Sequence, residues 1–388
     1  MSNYPLATSS WGDEEIKAIQ KVVKDDSYTM GKKVRACENE LSSFLNRKYS
    51  VMVNSGSAAN LLAIASLFYT KNPMLRKGDE VIVPAVSWST TYFPLQQFGL
   101  KLKFVDIDLS TLNYNLDDLK TAITNKTKLL MVVNLLGNPN EFNVIEEIID
   151  DKDIVMVEDN CESLGAEYQG RQAGTFGLLG TFSSFFSHHI STMEGGFVTT
   201  DDEELYHILI SLRAHGWTRD LPKINMVSNK SDDSFEESFR FILPGFNVRP
   251  LEMSGAIGIE QIKKLKKFIE QRRANARLFI ELFTDHPNFL IQKDSCASSW
   301  FGFALTIKPK SNLDRKVVLK KLLDNSIEFR PIVGGNFVKN EVMKYIDYSI
   351  HKELINADYI DNNGFFVGNS HINLSNEINN LHKVLGVK

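Results

Sequence analysis

The chain predicts an α/β protein with a large, mostly parallel sheet flanked by helices and a smaller C-terminal α+β domain. Three observations carry this. Short β-branched runs alternate with helical segments through the first two thirds. Several of those runs, such as LLMVVNLL and DIVMVED, are apolar on both faces, as central strands covered on both sides must be. From Leu251 a long helical pattern leads into a different composition.

In order, the strands are expected at Val51–Val53, Glu80–Val83, Lys103–Asp106, Lys128–Asn134, Ile154–Glu158, Thr181–Phe186 and Phe197–Thr200. Residues 1–250 form the large domain in this reading, and residues 251–388 the long connecting helix and the small domain. The basic residues of SGAIGIEQIKKLKKFIEQRRANARLFIELF mostly mark a solvated helix face. Beyond it lie a strand-pair candidate at Trp300–Ile307, a helix at Arg315–Asn325, the segment Ile327–Val333 and a helix-rich end. The polar stretch from Arg219 to Glu237 reads as a long surface insertion or lid.

Composition narrows the function. The 388 residues are 43% hydrophobic and 24% charged with a net charge of −4, which gives no polyanion-binding signature and argues against nucleic acid as a partner. The beginning has no secretory-signal pattern, and no apolar run is long enough for a bilayer, so a cytoplasmic protein with no membrane partner is expected. Cys37, Cys161 and Cys296 are too scattered for a zinc or iron–sulfur site, and no metal is expected.

Sheets of this kind bind ligands beyond the carboxyl ends of their strands, and the site-like residues of this chain gather there. In NSGSAAN, the small residues Gly56 and Ser57 open a helix whose free amides suit a phosphate dianion; taken alone, an ordinary helix cap by Ser55 or Ser57 is the plainer account. Asp159 ends a buried strand, where it either holds a heterocyclic nitrogen protonated or caps the next helix. Trp88 follows a strand and is either a stacking surface or a core residue. Asn247 and Arg249 of PGFNVRP stand beside a turn, as anion ligands or as solvated surface groups. His188 and His189 lie in the loop between two strands, before a Glu-Gly-Gly turn; imidazole titrates near neutrality, so either ring suits proton transfer, and two loop histidines is the plainer account.

Taken together, SGSAAN, PAVSWSTT, VEDNCES, SFFSHHISTMEGG and GFNVRP resemble, in order and spacing, the sugar-nucleotide aminotransferase family of pyridoxal-phosphate enzymes. The resemblance implies the aspartate-aminotransferase fold (PLP fold type I) with pyridoxal 5'-phosphate or its pyridoxamine form as cofactor. It implies that Gly56, Ser57 and Ser183 hold the cofactor phosphate, Trp88 covers the ring and Asp159 pairs with the pyridine nitrogen. Asn247 would reach the neighbouring subunit's phosphate, which makes a homodimer with shared active sites.

Two departures change the implied reaction. The family lysine, counted back from the Glu-Gly-Gly turn, falls on His188, and the glutamine usual after the pairing acid is Glu162. A histidine cannot anchor the cofactor covalently. Both departures resemble the 3-dehydratases of dideoxysugar biosynthesis within this family. The implied substrates are L-glutamate, which leaves as 2-oxoglutarate, and a GDP-linked 4-ketosugar. His188 would act as base at the cofactor's C4′ carbon and as acid toward the departing 3-hydroxyl, with ammonia released. Glu162 would face the cofactor's phenolic oxygen, one of the two carrying the proton. His215, Arg219 and Arg249 are candidate sugar or diphosphate contacts. A sugar aminotransferase with its lysine elsewhere, and a non-catalytic binding paralogue, are the rival readings.

Overall fold

A computed structural model describes residues 4–386. Two N-terminal helices, α1 (Asp13–Lys24) and α2 (Lys32–Leu45), precede the sheet. The large sheet is then laid down by β1 (Tyr49–Val53), α3 (Gly56–Ser66), β2 (Glu80–Pro84), α4 (Ser89–Gln97), β3 (Lys101–Val105), α5 (Leu116–Ala122), β4 (Thr127–Val133), α6 (Phe142–Ile149) and β5 (Val155–Asp159). Next come a short hairpin, β6 (Glu167–Tyr168) and β7 (Arg171–Gln172), and then β8 (Leu179–Ser183), β9 (Gly196–Thr200), α7 (Glu203–Arg213) and α8 (Ser234–Ser238).

The C-terminal part opens with the 32-residue α9 (Glu252–Phe283), about 48 Å long at 1.5 Å per residue. It continues through β10 (Phe289–Ile291), β11 (Gly302–Ile307), α10 (Arg315–Asp324), β12 (Phe329–Arg330), β13 (Tyr348–Ile350), α11 (Ile355–Asn363), β14 (Gly364–Gly368) and α12 (Ser375–Leu385). No helix among the described residues is long and apolar enough to cross a membrane.

The large sheet has eight strands in the order β1-β9-β8-β5-β4-β2-β3-β13. Its neighbours from β8 to β13 pair in parallel, and β9 runs antiparallel to both β1 and β8. The expected mixed, mostly parallel sheet is therefore present, with an edge strand, β13, contributed from the C-terminal part. Central strands explain themselves by composition: Leu129 to Val132 of β4 alternate between two cores, one on each face of the sheet, and all are buried. Each fully buried leucine or valine contributes about 1.5–3 kcal/mol. A four-stranded antiparallel sheet, β10-β11-β14-β12, builds the smaller layer. Helix α9 ties the two together, giving Ile262, Leu265 and Ile269 to a core shared with α2, and Phe279 and Phe283 to the core behind the small sheet.

Two expectations need correction. The strand expected at Thr181–Phe186 ends at Ser183, and Phe185 and Phe186 are exposed, because the chain leaves the ladder there to make the histidine loop. Trp300–Ile307 yields one strand rather than a pair, its partners coming from β10 and β14. The basic residues of α9 mostly reach solvent, as expected, with Arg272 the buried exception.

Candidate active site

Five parallel strands, β1, β2, β4, β5 and β8, end on one side of the sheet, and the segments at their ends line a single cavity of about 850 Å3. After β1, Ser55 caps α3 by accepting from the Ala58 amide at 3.0 Å, which sets the amides of Gly56 and Ser57 at the helix mouth. Gly56 has a physical reason to be glycine. A Cβ there would lie 2.7 Å from the Ser183 Cβ, so turn and serine form one tight cradle. Gly196 is similarly constrained, since a Cβ would fall 2.4 Å from the Ser55 carbonyl oxygen.

After β2, Trp88 stands at the N-terminus of α4 with 59% of its surface exposed, lining the cavity rather than the core. At the end of β5, Asp159 is held by three donors: Asn60 Nδ2 at 2.8 Å, Thr91 Oγ1 at 2.7 Å and the Cys161 amide at 3.2 Å. Asn60 is itself oriented by the Thr181 hydroxyl at 2.6 Å. Asp159 thus presents an acceptor-only group at a fixed place in the wall.

Glu162 lines the same wall and accepts from the Leu136 amide at 3.0 Å. Burial pushes its carboxyl up to about 7; the amide bond opposes this and the nearby Asp159 adds to it. A carboxyl whose folded value lies above its unfolded one stabilises below the unfolded value and loses that contribution as pH rises through the folded one. In cofactor-free protein, Glu162→Gln is accordingly expected to match the wild type near pH 4.5 and to be more stable by roughly 1–3 kcal/mol above pH 7, after allowance for cavity water. Urea unfolding at the two pH values measures this, and equal stabilities at pH 8 would refute it.

The β8–β9 hairpin carries the histidines. Its loop is pinned by Ser184 N to Gly195 O (2.9 Å) and Phe186 N to Met193 O (3.0 Å), and a turn from His188 N to Phe185 O (2.9 Å) aims His188 at the cavity. The half-buried ring lies edge-on to Phe301, centroids 5.1 Å apart. Burial first, and then the Arg272 guanidinium, hold its imidazole down to about 3, so it is neutral at ordinary pH. His189 is a core residue instead: it is buried, donates Nε2–H to the Ser299 carbonyl at 3.2 Å and does not line the cavity. Among the described residues, no lysine lines the cavity.

The remaining candidates gather elsewhere. His215 packs on Trp217 (5.1 Å), Arg219 lies 4.2 Å and Arg249 5.3 Å over the same ring, and Arg249 Nε donates to Asn247 Oδ1 at 3.1 Å. None of these four lines the cavity of its own chain, although Asn54 N to Val248 O (3.0 Å) fastens the segment beside the Gly56 turn. Conversely, sequence reasoning misses Leu6, Asn134, Glu194, Phe301, Glu328 and Arg330, which all line the cavity. Arg330 is its one lysine or arginine side chain among the described residues. Apart from Glu194, which opens the Glu-Gly-Gly turn, these residues come from far-separated segments and carry no local motif.

The sequence pattern of the DegT/DnrJ/EryC1/StrS aminotransferase family matches residues 9–374. The chain belongs to this family. Its relatives include the GDP-4-keto-6-deoxy-D-mannose 3-dehydratase of Yersinia pseudotuberculosis, 61% identical over 387 residues, which are 99% of this chain and 98% of that one. Two crystal structures of GDP-4-keto-6-deoxymannose-3-dehydratase, each 59% identical and covering 99% of this chain and 100% of theirs, superpose with a TM-score of 0.98. One is a histidine-to-asparagine variant with bound GDP-perosamine, and the other holds a trapped PLP-glutamate geminal diamine. The expected PLP fold type I architecture is thereby established.

Proposed function

We propose that this protein is a PLP-dependent 3-dehydratase that removes the C3 hydroxyl of GDP-4-keto-6-deoxy-D-mannose, with L-glutamate as amino donor, in dideoxysugar (colitose) biosynthesis. One observation carries the reading: the residue that the hairpin turn aims into a PLP-type cavity is His188, and no lysine lines that cavity among the described residues. An aminotransferase with its anchoring lysine elsewhere has no support in this wall.

The residues present fit the cofactor. The Gly56–Ser57 amides and Ser183 offer a phosphate cradle that a Cβ at position 56 would fill, Trp88 offers a ring surface, and Asp159 an acid for the pyridine nitrogen. When bound, the cofactor supplies the amino group drawn from glutamate and an electron sink for bond cleavage. His188, neutral at rest, takes a proton from the C4′ carbon; a wall that disfavours imidazolium then makes it a ready donor to the departing 3-hydroxyl. Glu162, protonated below about pH 7, donates a hydrogen bond where a carboxylate would repel a phenolate. Arg330 gives the cavity a cation for anionic substrates.

The second cluster serves a neighbouring copy. Asn247, His215, Arg219 and Arg249 do not line their own chain's cavity, and beside them Phe239, under the Arg219 guanidinium, and Phe241, bridged to Trp217, are exposed apolar side chains. Light scattering should give a homodimer of 43.9 kDa chains, and a monomer at working concentration overturns this part.

Incubation with pyridoxal phosphate, L-glutamate and GDP-4-keto-6-deoxy-D-mannose tests the activity. Ammonia, 2-oxoglutarate and a ketosugar lighter by an oxygen atom are expected. An aminated sugar without ammonia would restore the aminotransferase reading, and no turnover of glutamate would leave a binding paralogue.

A further inference from the structure

The wall behind His188 holds a buried cation that takes no direct part in the proton transfers. Arg272, in α9, is 3% exposed and donates from Nη1 to three main-chain carbonyls, Trp300 O (3.3 Å), Phe301 O (3.1 Å) and Asn369 O (2.8 Å). No ion pair joins it to a carboxylate among the described residues. Burying a charge is costly unless it is paired or well hydrogen-bonded, and here only carbonyl dipoles compensate it. Burial lowers its pKa only to about 10, so the guanidinium stays charged at neutral pH.

The carbonyls it holds belong to the shelf on which His188 rests. Residues 299–301 are clamped from the other side as well, by Ser299 N to Gly137 O (2.9 Å) and Phe301 N to Leu136 O (3.0 Å). Trp300 within the clamp adopts φ +48°, a conformation costly for a bulky residue and held only where its surroundings over-determine it. Asn369 closes the cage, donating from Nδ2 to Trp300 O (2.8 Å) and Arg272 O (3.2 Å) while Asn275 fixes its Oδ1 (3.0 Å). The Phe301 ring that emerges from this clamp meets both histidine rings, His188 at 5.1 Å and His189 at 5.9 Å.

We propose that Arg272 is a positioning residue for His188: a carbonyl-caged, carboxylate-free cation that fixes the Trp300–Phe301 shelf against the imidazole and opposes positive charge on it. The inference rests on the reading of His188 as the proton-transfer group. It gives the fixed charge a purpose. A base that must start neutral and then shed its proton to a leaving hydroxyl is served by a permanent cation behind it, whereas a carboxylate there would trap the imidazolium. Other charges face the same region. His189 belongs to the hairpin, His371 comes after β14, Arg273 and Lys264 belong to α9, and Asp159, Glu162, Glu194, Glu328 and Arg330 line the cavity in front. Arg273 also spends its donors on carbonyls, those of Gly165, Ala297 and Ser298. Carboxylates on the cavity side would favour a proton on His188, and the burial of the ring first and then the cation behind it oppose this.

The test uses cofactor-loaded enzyme labelled at histidine Cε1, with the His188 signal assigned by its loss in His188→Asn. In the wild type, NMR titration should find His188 neutral down to pH 5. Arg272→Met should move its midpoint up by a pH unit or more and carry the acid limb of the dehydration profile with it, roughly a tenfold loss of rate per unit on that limb. Arg272→Lys, which restores the charge, should return both toward wild type, a rescue that a purely structural role does not predict. A wild-type midpoint near the ordinary histidine value of about 6.5 overturns the proposal, and so does an unmoved midpoint in Arg272→Met. Should Arg272→Met not fold, Arg272→Gln supplies the neutral comparison, and an unmoved midpoint there overturns the proposal equally. A shifted midpoint together with full dehydration by His188→Asn would instead defeat the reading of His188 and leave the electrostatic role standing.

Discussion

Replacing His188 with asparagine is expected to lower the rate of ammonia release by about 10²–10⁴-fold, the usual contribution of a placed general acid–base group, while leaving the fold intact. Asparagine keeps a planar polar head of similar reach and cannot carry the proton. The structural cost is small because the ring makes few contacts that asparagine would lose. Its Nδ1 stands 3.4 Å from the Ser187 hydroxyl, and its other neighbours are the edges of Phe185 and Phe301. The loop is held by main-chain bonds at Ser184, Phe186 and His188 itself, which the substitution does not touch. Thermal unfolding should thus stay near wild type while turnover collapses. A variant retaining a tenth or more of the wild-type rate would remove His188 from the chemistry and send the search for the base elsewhere in the cavity wall. The same substitution at His189 addresses a different link. His189 is buried and bonded to Ser299 O, so its loss should appear mainly in stability.

The distinction between the two adjacent histidines shows what is legible in the sequence. Counting back from the Glu-Gly-Gly turn selects His188, and the hairpin geometry aims that ring, not its neighbour's, at the cavity. Strand-end residues are readable for the same reason: apolar runs such as that ending at Asp159 fix a parallel sheet, and parallel sheets put their chemistry beyond the carboxyl ends of their strands. What sequence periodicity cannot show is long-range assembly. Leu6, Phe301 and Arg330 reach the cavity from the N-terminal segment, the residue just ahead of β11, and β12, through tertiary packing with no local signature. Arg272 sits in a basic helical pattern, where a buried arginine and a solvated one look alike, and only the carbonyls of Trp300, Phe301 and Asn369 distinguish it. The Phe185–Phe186 pair reads as strand because apolar residues after a buried run look like its continuation. Both are exposed because they line the mouth of the cavity that the histidine loop borders.

Asp159→Asn carries the other large expectation, and it separates binding from folding. Asparagine can still accept from Asn60 and Thr91 through its Oδ1, so the hydrogen-bonded ring that includes Thr181 survives. Its amide nitrogen then faces the Cys161 N–H at the position of the second carboxylate oxygen, two donors opposed, which should cost the cofactor-free protein about 1 kcal/mol. The loss on the cofactor side is larger. A carboxylate supplies a charge-assisted bond to a protonated pyridine nitrogen, about 1.5–3 kcal/mol, and an amide does not, so affinity for pyridoxal phosphate should fall roughly 10- to 150-fold. With no lysine among the described residues lining the cavity to tether it, the cofactor should then be lost on desalting, visible as loss of its absorbance. The remaining bound fraction should also turn over more slowly, because an unprotonated ring is a poorer electron sink. Wild-type cofactor retention and rate in this variant would show that the buried acid at the end of β5 serves the fold alone.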